Sequence, residues 1–207
     1  RIVANISRLN DLDNYPFQAI ELDKAIDEEH VAEIFVRINS EGVQLSNADF
    51  ILTIMSVFWE KGRRELENFS RGAKTPTTGT ASPFNHFIEP APDQMLRASV
   101  GLAFRRGRLQ YIYSILRGKD LKTGEFSPEK RDEQFERLRE AQEATLNLTH
   151  WHEYLKCIQR AGFRSARMIS SETAVMYVYI FWLLGRLEYG VETKRLREVI
   201  TRWWFMA

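Results

Sequence analysis

The sequence predicts a mainly α fold, a helical bundle with a short strand-containing part near its N-terminus. Apolar residues recur at the three- and four-residue spacing that places them on one face of a helix. Helix-start and helix-stop residues punctuate these stretches, as at Ser127-Pro128 and Gly118. An extended run covers residues 17–22, Phe-Gln-Ala-Ile-Glu-Leu, and we predict it to be a strand.

The first helix is predicted over residues 27–39 and is followed by a glycine turn. It opens on short acidic residues, which can accept hydrogen bonds from the free N–H groups of a helix start. Gly42 tolerates a positive φ and suits the turn. Ser46, with Asp49 three residues later, has the form of a variant capping box. The second helix is predicted from about Asn47 to Phe69, apolar in its first half and polar in its second.

Residues 73–91 are predicted to form a flexible linker or loop, because the Thr-, Pro- and Ser-rich stretch within them has little to bury. This segment would separate an N-terminal unit, residues 1–72, from a helical bundle domain, residues 92–207. A mobile loop beside a ligand site is the alternative interpretation, because loops often carry binding residues.

The bundle is predicted from the start and stop signals of its helices. Its most apolar segment, residues 174–184, is too short to cross a bilayer, which needs about 20 residues. We therefore expect this segment to form the central buried helix. The predicted helices begin at Pro92-Asp93, Ser127-Pro128 and Ser171-Glu172, and cover about 108–117, 150–161 and 192–205.

Bulk composition fits a globular cytoplasmic protein. Hydrophobic residues make up 44% of the chain and charged residues 28%, close to ordinary soluble proteins. The formal net charge of +1 excludes an argument for nucleic-acid binding from overall basicity. Cys157 is the chain's one cysteine, which suits a reducing compartment, and its apolar neighbours predict a buried thiol.

The stretch from Phe35 to Asp49 is the most specific pattern in the chain. It reads Phe-x-x-x-Asn followed by Ser-x-Gly-x-x-Leu-Ser-x-x-Asp. This pattern resembles domain-of-unknown-function family 262, the ParB-like nucleotide-hydrolysing half of GmrSD-type restriction and phage-defence proteins. The resemblance implies catalytic roles for Phe35, as a pocket wall, and for Asn39, which would orient the nucleotide or a catalytic water. It assigns Gly42, Ser46 and Asp49 to the turn and helix start of the motif.

The chain departs from this family in two places. The family's first motif, Asp-Gly-Gln-Gln-Arg, occurs nowhere in it, and neither does a good copy of the family's histidine-centred nuclease. His86 faintly resembles the first nuclease histidine, and an ordinary loop histidine is the simpler interpretation. Because the chain starts at Arg1 and ends in an aromatic run, we expect a middle segment of a longer protein. Residues 1–72 would then be the C-terminal part of a ParB-like domain.

On this hypothesis the isolated chain does not hydrolyse nucleotide, because half of the site is missing. No cofactor is expected in the fragment, whereas the full-length protein would use a nucleoside triphosphate with a divalent metal to gate DNA restriction. Its partners would be DNA and the missing N-terminal and C-terminal segments, with no membrane. From the residues alone, a helix C-cap is the favoured role for Asn39.

An arginine-rich patch leads to an alternative hypothesis, a non-enzymatic helical module that binds DNA or a protein partner. Arg105, Arg106 and Arg108 form the densest basic cluster, and clustered arginines are typical of phosphate contact. A solvated helix junction with local ion pairs is the other interpretation. A second group of three arginines lies at 160–167 and could form another patch.

No metal site is predicted. His150 and His152 are two residues apart, so on a helix they point to different faces and form a poor chelate. No cysteine cluster accompanies them. Two surface or helix-end histidines are therefore expected.

Overall fold

The computed structural model describes Glu21, Ile34 and residues 46–120 and 123–206. Within these residues the protein is mainly helical, which confirms the predicted fold class at that level. Apart from Glu21 and Ile34, the predicted strand at 17–22 and the first predicted helix at 27–39 lie outside the described residues.

Eight α-helices and one short 3-10 turn, Ala166–Met168, make up the secondary structure of the described residues. No described helix is long and apolar enough to cross a membrane. The helices are α1 (Asn47–Phe58), α2 (Glu60–Gly72), α3 (Pro92–Phe104), α4 (Gln110–Leu116), α5 (Pro128–Leu146), α6 (Leu148–Arg160), α7 (Glu172–Leu187) and α8 (Thr193–Met206).

Helix α1 begins with the predicted capping box. The Ser46 hydroxyl accepts from the Asp49 backbone N–H at 3.3 Å, and the Asp49 carboxylate accepts from the Ser46 backbone N–H at 2.8 Å. These two bonds satisfy backbone donors that the helix leaves without a partner at its first turn. The capping box that the sequence predicted at Ser46 and Asp49 is therefore confirmed.

The prediction of one continuous helix over residues 47–69 is wrong. The helix is broken at Trp59, whose backbone lies at φ −156° and ψ 63°, so that α1 and α2 are separate helices. The break lays the buried Trp59 indole on Gly62, where a Cβ would lie 2.4 Å from the ring carbons. The indole occupies the space beside Gly62 that a side chain at this position would fill. The helix is interrupted where this packing occurs.

Helix α7 is the buried centre of the bundle, as predicted. It packs against α3, α6 and α8, and most of its apolar residues are buried. The Tyr179 ring lies 5.1 Å from that of Trp151, and its hydroxyl donates to the Thr145 carbonyl at 2.7 Å. Burial raises the pKa of Tyr179 well above its usual value, so this hydroxyl stays a donor.

Residues 74–91 contain no helix or strand, as the loop prediction requires. Phe87 and Ile88 are nevertheless buried and belong to the same hydrophobic cluster as residues of α1 and α8. The Asn85 side chain closes a local turn here, because its Oδ1 accepts from the backbone N–H groups of Phe87 and Ile88, both at 2.9 Å. The division into residues 1–72 and 92–207 stays a prediction.

Candidate functional site

A basic groove of about 370 Å³ opens where the C-terminal end of α3, the residues after α4 and the first turns of α5 meet. Its walls combine four cationic side chains, one carboxylate and a small apolar floor. The lining residues are Phe104, Arg106, Ile115, Lys119, Asp120, Lys130, Gln134 and Arg137.

Gly118 joins two walls of the basic groove. Its φ of +87° ends α4, and its N–H donates to the Ile115 carbonyl at 2.9 Å. Its carbonyl accepts from the Ser127 N–H at 3.2 Å, at the N-cap of α5. This turn holds Lys119 beside the start of α5, and both Lys119 and Lys130 line the groove.

Arg137 links the α5 wall to the end of α3. Its Nη2 donates to the Ala103 carbonyl at 3.0 Å, and its guanidinium lies 5.2 Å from the centroid of the Phe104 ring. An arginine at a helix C-terminus satisfies a free carbonyl there and interacts favourably with the helix dipole. These contacts fix the position of the Arg137 guanidinium in the groove. A guanidinium has five N–H donors, and those not used in these contacts are left for a ligand.

The charges of the groove are unbalanced. Lys130 lies 3.8 Å from the Asp120 carboxylate and 3.9 Å from that of Glu133, which is exposed outside the groove lining. Arg106 is exposed and has no ion-pair partner among the residues that the structure describes. Four cations against one carboxylate leave a net positive charge in the groove, which attracts anions.

Phe126 stands beside the basic groove. It pairs with Lys119 through the isolated antiparallel β-bridge, and 48% of its surface is exposed. The Lys119 Nζ lies 5.7 Å from the centroid of the Phe126 ring, and the Arg117 guanidinium lies 5.2 Å from it. A partly exposed aromatic ring thus lies close to two cations, one of which also lines the groove.

The structure separates the three arginines of the predicted patch. Arg105, in the left-handed conformation at φ 55°, forms an ion pair with Glu188 at the end of α7. Arg106 lines the basic groove, whereas Arg108 is exposed and does not. The interpretation as a local ion pair therefore holds at Arg105, whereas phosphate contact at Arg106 stays a prediction.

The groove contains two cations that the sequence analysis did not select. Lys130 and Arg137 are seven residues apart on α5, with Gln134 between them, so all three share one helical face. That spacing is visible in the sequence. Their relation to Arg106 and Lys119 depends on how α5 packs against α3.

The family-like residues are only partly described. Phe35, Asn39 and Gly42 lie outside the described residues. Ser46 is exposed and caps α1 together with Asp49. Neither of these two lines the basic groove.

Two histidines, His86 and His152, make contacts within the fold. A ring nitrogen of His152 lies 2.8 Å from the Ser82 carbonyl, and the exposed His86 packs edge-on against Phe84 at 5.2 Å. The described part of the chain contains no group of three or more potential metal ligands. Cys157 is buried, as predicted, and burial raises the pKa of its thiol to about 11.

A larger cavity, about 950 Å³, lies elsewhere, between α2, α5 and Pro83. Its lining includes two cations and two carboxylates, and Lys61 is paired with Glu65 at 3.8 Å. The Arg139 guanidinium lies 5.5 Å from the Trp59 ring centroid. Balanced charges give this cavity no preference for an anion, in contrast to the basic groove.

No protein-family model, no curated protein and no solved structure matches this chain. Its function is therefore inferred from its own residues.

Proposed function

We propose that this chain is a non-enzymatic helical module that binds DNA through the basic groove. The observation that carries the proposal is the convergence of Arg106, Lys119, Lys130 and Arg137 on one open concavity that contains a single carboxylate. These cations come from three separate segments of the chain, so the fold and not the sequence order brings them together.

A phosphodiester backbone fits these cations better than a small neutral ligand does. Arginine and lysine contacts to phosphate release counterions, and this release supplies most of the affinity of sequence-independent DNA binding. The groove is open to solvent, so a phosphodiester can enter it. The module would need no overall basicity, which agrees with the net charge of +1.

The test is DNA binding by fluorescence anisotropy between about 50 and 200 mM salt. We expect the Arg106→Gln/Lys130→Gln variant to weaken binding about tenfold and to reduce the slope of log K against log salt by nearly two. The matched control is Lys194→Gln/Arg202→Gln, because these exposed α8 residues have no ion-pair partner in the described chain and give the same change in net charge. Equal slopes in the two variants would refute the proposal.

A second proposal concerns the protein to which this module belongs. The Phe35–Asp49 pattern supports a GmrSD-like, family-262 defence protein, with residues 1–72 as the C-terminal part of its ParB-like domain. The capping box at Ser46 and Asp49 is compatible with the helix start of that pattern. A cytoplasmic location belongs to this proposal, and the free, buried Cys157 supports it.

On this proposal, nucleotide hydrolysis belongs to the full-length protein, between the Asp-Gly-Gln-Gln-Arg motif and the Phe35/Asn39 helix. The isolated chain should therefore show no GTP or ATP turnover above a buffer blank with Mg²⁺ present. Sequencing the full-length reading frame should reveal the missing motif upstream of residue 17. Turnover by the chain alone, or a reading frame without the motif, would contradict the assignment.

A further inference from the structure

Phe126 leaves much of its side chain exposed at the edge of the basic groove. The ring is 48% exposed, although its backbone is fixed by the bridge to Lys119 and by the adjoining Ser127 cap of α5. An aromatic side chain that stays half exposed contributes less to folding stability than a buried one. A ring that is fixed in place and exposed beside a cationic groove is therefore a candidate binding surface.

The cations around Phe126 connect the ring to the groove. Lys119 lines the groove and also lies 5.7 Å from the ring centroid, so one side chain can touch both a phosphate in the groove and a group stacked at the ring. Arg117, 5.2 Å from the centroid, adds a second positive charge near the ring.

We infer that the ligand of the basic groove is a single-stranded nucleic acid, one base of which stacks on Phe126 while neighbouring phosphates contact Lys119 and Lys130. This inference rests on the proposed function and adds the class of nucleic acid. A duplex keeps its bases stacked on each other, whereas a single strand offers free base faces to an aromatic ring. A positive groove combined with a stacking ring is the arrangement by which proteins bind single strands without reading sequence.

Three ligands of the same length, about 12 nucleotides, separate the contributions of base and phosphate. They are a deoxythymidine oligomer, an abasic deoxyribose-phosphate oligomer and a duplex containing the thymidine strand. We expect the full chain to bind the thymidine oligomer most tightly. A deoxyuridine and a uridine oligomer, measured in parallel, show whether DNA or RNA is preferred, since the two share the same base and phosphate.

The variant Phe126→Ala should weaken binding of the thymidine oligomer about 5-fold to 100-fold, the range for loss of one stacked base. Its affinity for the abasic oligomer and its salt slope should stay unchanged, because the groove cations remain. Phe126→Trp should retain binding, which excludes misfolding of the loop as the cause. Phe181→Ala is the matched control, since this α7 ring is 59% exposed and does not line the groove.

The outcomes distinguish this inference from the proposed function. Salt-dependent binding that is lost in Arg106→Gln/Lys130→Gln but unaffected by Phe126→Ala, with equal affinity for all three ligands, would overturn the stacking and keep the groove. A complete lack of salt-dependent binding by the unaltered chain would overturn both. Selective loss of thymidine-oligomer binding in Phe126→Ala would support both.

Discussion

The indole Nε1 of Trp151 donates a hydrogen bond to the carbonyl of Pro83 at 2.9 Å, and both residues are buried. The next residue on α6, His152, contacts the Ser82 carbonyl at 2.8 Å. These two contacts attach the middle of the segment predicted to be a linker to the centre of the bundle. Together with the buried Phe87 and Ile88, they make the second half of the loop after α2 part of the core.

Replacing Trp151 by phenylalanine should destabilise the protein by about 2–4 kcal/mol. The change leaves the buried Pro83 carbonyl without its donor and removes part of a fully buried ring. Urea denaturation measures the loss, and trypsin cleavage after Lys74 should become faster. The exposed Trp203→Phe change serves as control and should cost less than about 0.5 kcal/mol. Equal stability of the two variants would show that the Pro83 contact is unimportant.

Replacing Ser46 by alanine should reduce stability by about 1 kcal/mol, because α1 loses the acceptor for the Asp49 N–H. Ser171→Ala removes the corresponding acceptor at α7, where the Ala174 N–H donates to the Ser171 hydroxyl at 3.2 Å, and should cost a similar amount. Thermal denaturation of both variants gives the comparison. No change in Ser46→Ala would argue that the family-like serine does not act as a cap.

Short-range chemistry made much of the helical architecture predictable. Ser127 and Ser171 cap helices where the sequence indicated, and Gly118 ends α4 with the positive φ that glycine permits. Each of these features depends on a few neighbouring residues. The break at Trp59 was missed because it depends on packing over Gly62, which a hydrophobic pattern does not express.

The candidate site was predictable only in part, because its charges meet through tertiary packing. Arg106 stood out in the sequence, whereas the role of Arg137 follows from a hydrogen bond to Ala103, a residue 34 positions earlier. In the same way, Arg105 is neutralised by Glu188, which lies 83 positions later. A cluster of cations in a sequence therefore identifies a candidate binding region. The packing of helices decides which of these cations form ion pairs within the protein and which stay unpaired.

Replacing Gly118 by alanine should destabilise the protein by about 2–4 kcal/mol and weaken oligonucleotide binding. The φ of +87° is strained for alanine, and the new Cβ would lie 2.2 Å from the Ser127 carbonyl oxygen. Gly79→Ala is the matched control, because its φ of +83° is similar but no atom lies within 4 Å of the added Cβ. It should cost about 1 kcal/mol. Similar losses of stability in both variants would mean that the Ser127 contact relaxes freely.

Glu153 should make stability depend on acidic pH. Its carboxylate accepts from the Lys156 ammonium at 2.5 Å and pairs with Arg197 of α8, so it ties α6 to α8. The hydrogen bond from Lys156, followed by that from Arg197, lowers the pKa of Glu153 below its ordinary value of 4.5. The folded state therefore favours the carboxylate. This stabilisation is fully present above about pH 4.5 and is lost as the pH falls through the lower, folded-state pKa.

The variant Glu153→Gln tests this linkage. At neutral pH it should lower the free energy of unfolding by about 1–2 kcal/mol, because charged hydrogen bonds between two helices are replaced by weaker neutral ones. Urea titrations from pH 7 downward should show the difference from the unaltered protein shrinking below about pH 4.5. Glu136→Gln is the control, since its ion pair with Arg139 lies within one exposed helical face and should contribute little at any pH. A difference that stays constant down to pH 3 would contradict the linkage, because the carboxylate would then not be titrating in this range.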